Sequence, residues 1–205
     1  MIPRFRRLPG QRRYKRMFVI VAEGTVTEPE YFSLLNQDLI VQVKCLKSKS
    51  HLPPEAALKT VREYIQKESL LKTDEVWVVV DKDSWREDHL TKLHNWAQSR
   101  TNYGFALSNP KFEYWLLLHF EDAKGVATGD DCDSRLAGYL PGYDKHIDPR
   151  HFTLERIRDA AEKAKKRDQP PCTDWPRKPG TTVYKLVEKI LASGKEALAP
   201  MQSPR

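Results

Sequence analysis

The chain has 205 residues, 40% of them hydrophobic and 31% charged, which is enough for one sizeable domain with a real core and a well-hydrated surface. No apolar run approaches the length of a bilayer span and no charged-then-apolar leader opens the chain, so a cytoplasmic protein is expected. Cys45, Cys132 and Cys172 lie far apart with no C-x-x-C pair, which argues against a disulfide framework or a zinc knuckle.

The net charge of +7 is unevenly placed. Arg4, Arg6, Arg7, Arg12, Arg13, Lys15 and Arg16 fall within residues 1–16, which hold no acid. Taking those seven from the 35 basic residues leaves 28 against 28 acids. A flexible basic arm ahead of a neutral domain suits a polyanion such as nucleic acid, because each neutralised phosphate releases a counterion, or else is a solvated N-terminus with no partner. The rest divides into a domain over 17–192 and a frayed tail over 193–205.

Met17 to Ala22 is a continuous apolar run bounded by charge, the pattern of a strand buried on both faces. It ends in Glu23-Gly24. Thr27 then reads as the N-cap of a helix, with Glu30 completing a capping box and Pro29 in the first turn. Val41 to Leu46 alternates like an edge strand. A helix from Pro53-Pro54 aligns Ala57, Leu58, Val61, Tyr64, Ile65 and Leu71 on one face. Glu75 to Val80 is a third strand, followed by a helix with Leu90, Leu93, Trp96 and Ala97 as its stripe. Tyr103 to Leu107 is a fourth, broken by Asn109-Pro110, and Lys111 to Phe120 reads as a strongly apolar helix. Residues 121–150 read as a loop-rich insert with at most a short helix. Leu154 to Arg167 is a charged helix, 168–176 a proline-rich loop, and Thr181-Thr182 caps a last helix. The alternation of strands and helices predicts an α/β fold: a mostly parallel sheet of about four strands, flanked by helices.

In such sheets, ligands gather outside the carboxyl ends of the strands. Asp81 and Asp83 close the third strand one residue apart, so both carboxylates can point to one side and repel each other. A hard divalent cation such as Mg²⁺ would relieve that repulsion. Glu23 and Asn109 fall at strand ends on the same edge, and Gly24 permits close backbone approach to a ligand. Glu113, in the first turn of the fourth helix, suits either the helix dipole or a ligand role. Asn109 suits a bond to a ligated carboxylate or simply the end of a strand. His119 sits about 240° round the helix from Glu113, and reads as a packed or partner-facing histidine rather than a ligand. No Gly-rich phosphate loop and no G-x-S-x-G occurs, which speaks against ATP hydrolysis and serine-hydrolase chemistry.

A strand ending in Glu-Gly and a later one ending in Asp-x-Asp resemble the TOPRIM domain of topoisomerases, DnaG-type primases and OLD-family nucleases. More narrowly, Glu23-Gly24-x-x-Thr27-Glu28-Pro29-x-Tyr31-Phe32, the run from Ser108-Asn109-Pro110-Lys111-Phe112-Glu113-Tyr114-Trp115 to Phe120, and Pro179-Gly180-Thr181-Thr182-Val183-Tyr184 resemble the RloB-like family. The matches run from about Met17 to about Ile190, and Tyr143-Asp144-Lys145 is similar to a Tyr-x-Lys element of the same family. The resemblance implies a TOPRIM-like fold and a place in bacterial restriction and abortive-infection loci, beside an ATPase subunit. It also implies, less firmly, a nuclease. Under it, Glu23 is a catalytic acid/base or metal ligand, and Asp81 and Asp83 bind Mg²⁺ (or Mn²⁺). Lys111 and Lys145 are then candidate phosphate or transition-state cations, Glu113 a further ligand, and Gly24 and Asn109 supports. Two functions follow: a metal-dependent nuclease acting on DNA or RNA, tRNA included, and a non-catalytic nucleic-acid-binding or scaffolding subunit working through its ATPase.

Overall fold

The computed structural model describes residues 15–38, 41–46, 54–82 and 85–196. Five strands form one sheet in the order β2-β1-β3-β4-β5. They are β1 (Met17–Ala22), β2 (Gln42–Leu46), β3 (Glu75–Asp81), β4 (Tyr103–Asn109) and β5 (Gly180–Thr181). β1 pairs in parallel with β2 and β3, and β3 with β4; β5 is antiparallel to β4. The helices are α1 (Thr27–Asp38), α2 (Pro54–Lys67), α3 (Glu87–Gln98), α4 (Phe112–Leu117), α5 (Gly129–Tyr139), α6 (Leu154–Arg167) and α7 (Val183–Glu196). None among the described residues is long and apolar enough to cross a membrane.

Alternation along the strands builds two cores. Phe18, Ile20, Trp77, Val79 and Ala106 pack beneath α1, α4, α5, α6 and α7. Val19, Val21, Val76, Val78, Val80 and Leu107 face α2 and α3. Burial on both faces is the reason the strands read as unbroken apolar runs. Trp77, Trp96 and Trp115 are core, as is Trp175, which sets its ring against Phe105 at 6.2 Å. Gly104 makes room for the Trp77 indole, with which any Cβ would collide.

Several sequence expectations change. The sheet gains β5, because Thr181 and Thr182 do more than cap α7. Thr182 N–H donates to the Leu107 carbonyl (2.9 Å), Leu107 N–H donates to Thr182 Oγ1 (2.9 Å), and the Thr181 and Ser108 hydroxyls lie 2.9 Å apart. The 121–150 insert contains α5, an eleven-residue helix. Thr128 opens it with a complete capping box to Asp131, and Cys132 and Leu136 bury its inner side. The apolar helix is shorter than predicted, ending at Leu117, and α7 runs past the predicted fray point to Glu196. Leu71 lies beyond α2 and is exposed. Asn36 on α1 faces the outer edge of β2: its amide donates to the Val43 carbonyl (3.0 Å) and accepts from Val43 N–H (2.6 Å).

Candidate active site

The strand order reverses between β1 and β3, and the crevice at the carboxyl ends of those two strands is where this architecture places ligands. Glu23 follows β1 and Asp81 ends β3. Glu23 N–H donates to the Val79 carbonyl (3.0 Å), which prolongs the pairing by one residue. Its carboxylate is buried. Oε2 accepts from Trp85 Nε1–H (2.7 Å) and from the Asp81 backbone N–H (3.2 Å). Two donors, one from the last residue of β3 and one from the turn after it, therefore orient the β1 acid towards the end of β3. Lys82 N–H reaches the carbonyls of Ser108 (2.8 Å) and Pro110 (3.1 Å), tying the same turn to the end of β4.

A buried acid that stands in the Glu23-to-Phe32 motif, with no site role expected of it, completes this wall. Glu28, in the first turn of α1, accepts from Gly24 N–H at 3.0 Å. Gly24 must be glycine for this approach, since a Cβ there would overlap the Glu28 carboxylate. Burial pushes the Glu28 pKa up to about 6, assisted by the negative charges of Glu113 and Glu23 and opposed by its backbone hydrogen bonds.

Glu113 is also buried, at the start of α4. Its Oε1 accepts from Lys145 Nζ at 2.5 Å and from the Tyr143 hydroxyl at 3.4 Å. The Lys145 loop is fastened to α1: Thr27 Oγ1 donates to the Lys145 carbonyl (2.8 Å) and lies 3.2 Å from the Tyr143 hydroxyl. Glu30 accepts from Ile147 N–H (2.8 Å) and is 2.8 Å from His146 Nδ1. Lys145 takes φ of +80°, a conformation costly for a side chain with a Cβ, and the surrounding bonds hold it there. The predicted capping box of α1 does not form, because Thr27 and Glu30 turn outwards to hold this loop instead.

The remaining candidates are placed as follows. Asp83 lies outside the described residues, as do Arg4, Arg6, Arg7, Arg12 and Arg13. Asn109 ends β4 and donates to the Pro176 carbonyl (3.0 Å) rather than to a carboxylate. Lys111 pairs with Asp133 at 2.6 Å. Lys15 is exposed. Arg16 is engaged within the fold at the opposite edge of the sheet, with Glu75 (2.6 Å) and Ser193 (3.0 Å). His119 is buried and packed, 3.0 Å from the Tyr31 hydroxyl, and burial depresses its pKa to about 3. Among the described residues no three His, Cys, Asp or Glu side chains are grouped to hold a metal ion.

Fold and site together define an α/β protein with buried acids gathered at the carboxyl edge of a mostly parallel sheet, beside its reversal point. The family model for RloB-like proteins matches residues 18–190, and the chain belongs to the RloB-like family. No curated protein and no solved structure matches it.

Proposed function

We propose that the chain is a divalent-metal-dependent nuclease of TOPRIM-like kind. In this reading it cleaves phosphodiester bonds in DNA or RNA, tRNA included. It acts in the cytoplasm in anti-phage defence, by restriction or abortive infection, beside a partner ATPase. The observation that carries the reading is the meeting of Glu23 and Asp81 at the ends of β1 and β3, joined through Asp81 N–H and Glu23 Oε2.

The chemistry of the donors fits Mg²⁺ or Mn²⁺. They are carboxylate oxygens, which hard cations prefer, on an edge where the acids Glu23, Glu28 and Glu113 are all buried. Asp81 and Glu23 would hold the ion, with Asp83 and Glu113 completing the set. Bound there, it would stabilise the negative charge that develops on the phosphate oxygens. Alternatively Glu23, whose carboxylate Trp85 orients, would accept the proton of the attacking water. Lys145, 56% exposed at its side chain, neutralises Glu113 and presents positive charge at the rim, where a phosphate would pass.

A cleavage screen over DNA and RNA pools with Mg²⁺ or Mn²⁺, with and without the neighbouring ATPase, tests this reading. The Asp81→Ala/Asp83→Ala variant should be inactive, and cleavage that survives it refutes the assignment. The alternative, a non-catalytic nucleic-acid-binding or scaffolding subunit, draws on the lack of a three-ligand group among the described residues. It requires salt-steep binding without turnover at any divalent metal.

A further inference from the structure

We propose that the pocket formed by the loop between α5 and α6 binds one unpaired nucleobase that carries an exocyclic amino group. The inference rests on the nucleic-acid reading above and names the feature of the substrate that this surface would recognise. The cavity measures about 320 Å³ and is lined by Leu140, Tyr143, Asp144, His146, Asp148 and His151 among others. That volume suits a single base with part of its sugar, at the small end of ligand pockets.

The lining decides between base and phosphate. The exposed Asp144 carboxylate, which accepts from His146 N–H at 3.3 Å, would repel a phosphate, whereas a carboxylate accepts well from an amino N–H on a base edge; Asp148 is already paired with Arg150. Leu140, Pro141 and Ile147 give the apolar wall that a flat ring needs. The walls are fixed in advance. Glu30 holds His146 and Ile147, and Arg150 clamps Asp148 through Nε (3.0 Å) and Nη2 (2.5 Å).

A stacking surface adjoins the pocket. Tyr139 directly precedes Leu140 and is 42% exposed; Leu71 is the other large hydrophobic side chain exposed among the described residues. Its ring lies parallel to Phe120, 5.1 Å away at 13°, and its hydroxyl donates to Glu121 (3.1 Å), so its outer face is held still. Successive bases of a single strand stack on such aromatic faces, while a base paired in a duplex is withheld from both. The same loop carries Lys145 to Glu113, so a base seated here brings its flanking phosphate towards the candidate active site.

The test is fluorescence-anisotropy binding of the full chain carrying Asp81→Ala/Asp83→Ala, in EDTA, to labelled cytosine, adenine and uracil homopolymers and to a blunt duplex. Cytosine and adenine strands should bind at least about five-fold tighter than uracil strands, since the Asp144 carboxylate finds amino donors on the first two. The duplex should bind more weakly than either. Tyr139→Ala should weaken single-strand binding about five- to a hundred-fold. Asp144→Asn, at an exposed position, should reduce the preference for cytosine over uracil to less than two-fold. Circular dichroism of each variant confirms that it is folded. Equal affinity for cytosine and uracil, unchanged binding by Tyr139→Ala, or no binding to any strand overturns the proposal. Because binding is read without metal or turnover, an absence of cleavage by the wild type counts against the nuclease reading alone.

Discussion

At the amino edge of the sheet Glu75 is buried between two cations, Arg16 at 2.6 Å and Lys189 at 2.9 Å, and also accepts from Trp77 Nε1–H at 2.9 Å. Beside it Asp74 accepts the backbone N–H groups of Met17 (3.0 Å) and Leu71 (2.8 Å). At the carboxyl edge Glu23, Glu28 and Glu113 are buried together, and the cation set against Glu113 is Lys145, more than half exposed. Burying a carboxylate is costly unless partners compensate it. The amino edge meets that demand within the fold and serves cohesion. The carboxyl edge meets it incompletely, leaving one of its acids with a raised pKa, as expected of a site that handles charge from outside.

The difference between the edges sets the size and kind of each expected effect. Glu23→Gln should lower cleavage by about 10²–10⁴-fold, the usual range for a proton-transfer group, with little change in melting temperature. A stability loss with unchanged rate would erase the contrast. Glu75→Ala should do the reverse. It should cost about 2–3 kcal/mol in a urea titration, less than a fully buried pair because both cations reach solvent, and leave the rate per folded molecule intact.

Glu28→Gln sharpens the comparison through pH. The folded pKa of about 6 lies above the ordinary 4.5, so the folded state favours the protonated acid. The contribution of Glu28 is most favourable below pH 4.5 and is lost as pH rises through 6, by about 2 kcal/mol. Glu28→Gln should therefore be the more stable protein at pH 8, and the gap should close at pH 4. Thermal melts at both values check it. The smallest effect belongs away from either edge: Leu71→Ser, at an exposed position, should change stability by less than about 0.5 kcal/mol.

The sequence revealed the parallel strands because their residues are buried on both faces, which leaves an unbroken apolar run. The edge position of β2 was equally legible from polar Gln42 and Lys44 alternating with Val41, Val43 and Cys45; Gln42 and Lys44 are exposed. β5 could not be read, since two residues carry no period and its pairing joins Thr182 to Leu107 across 75 positions. α5 was obscured by Gly129, Gly138 and three aspartates, although Thr128 and Asp131 spell its cap. At the site, Glu23 and Asp81 follow from strand ends alone. Glu28 does not: it reads as an ordinary first-turn acid. Its environment is set by Gly24 and by the packing of α1 beside α4 and the Lys145 loop, contacts that a local pattern cannot encode.

The Asn36 amide has a consequence for life in a crowded cell. The terminal strand of a sheet can offer its backbone to an extended peptide, including another copy of itself. By answering both the N–H and the C=O of Val43 with one side chain, Asn36 acts as a one-residue counterfeit strand. An intruding chain that paired at Val43 would have to displace both of those bonds first, so the fold itself answers this position of the edge.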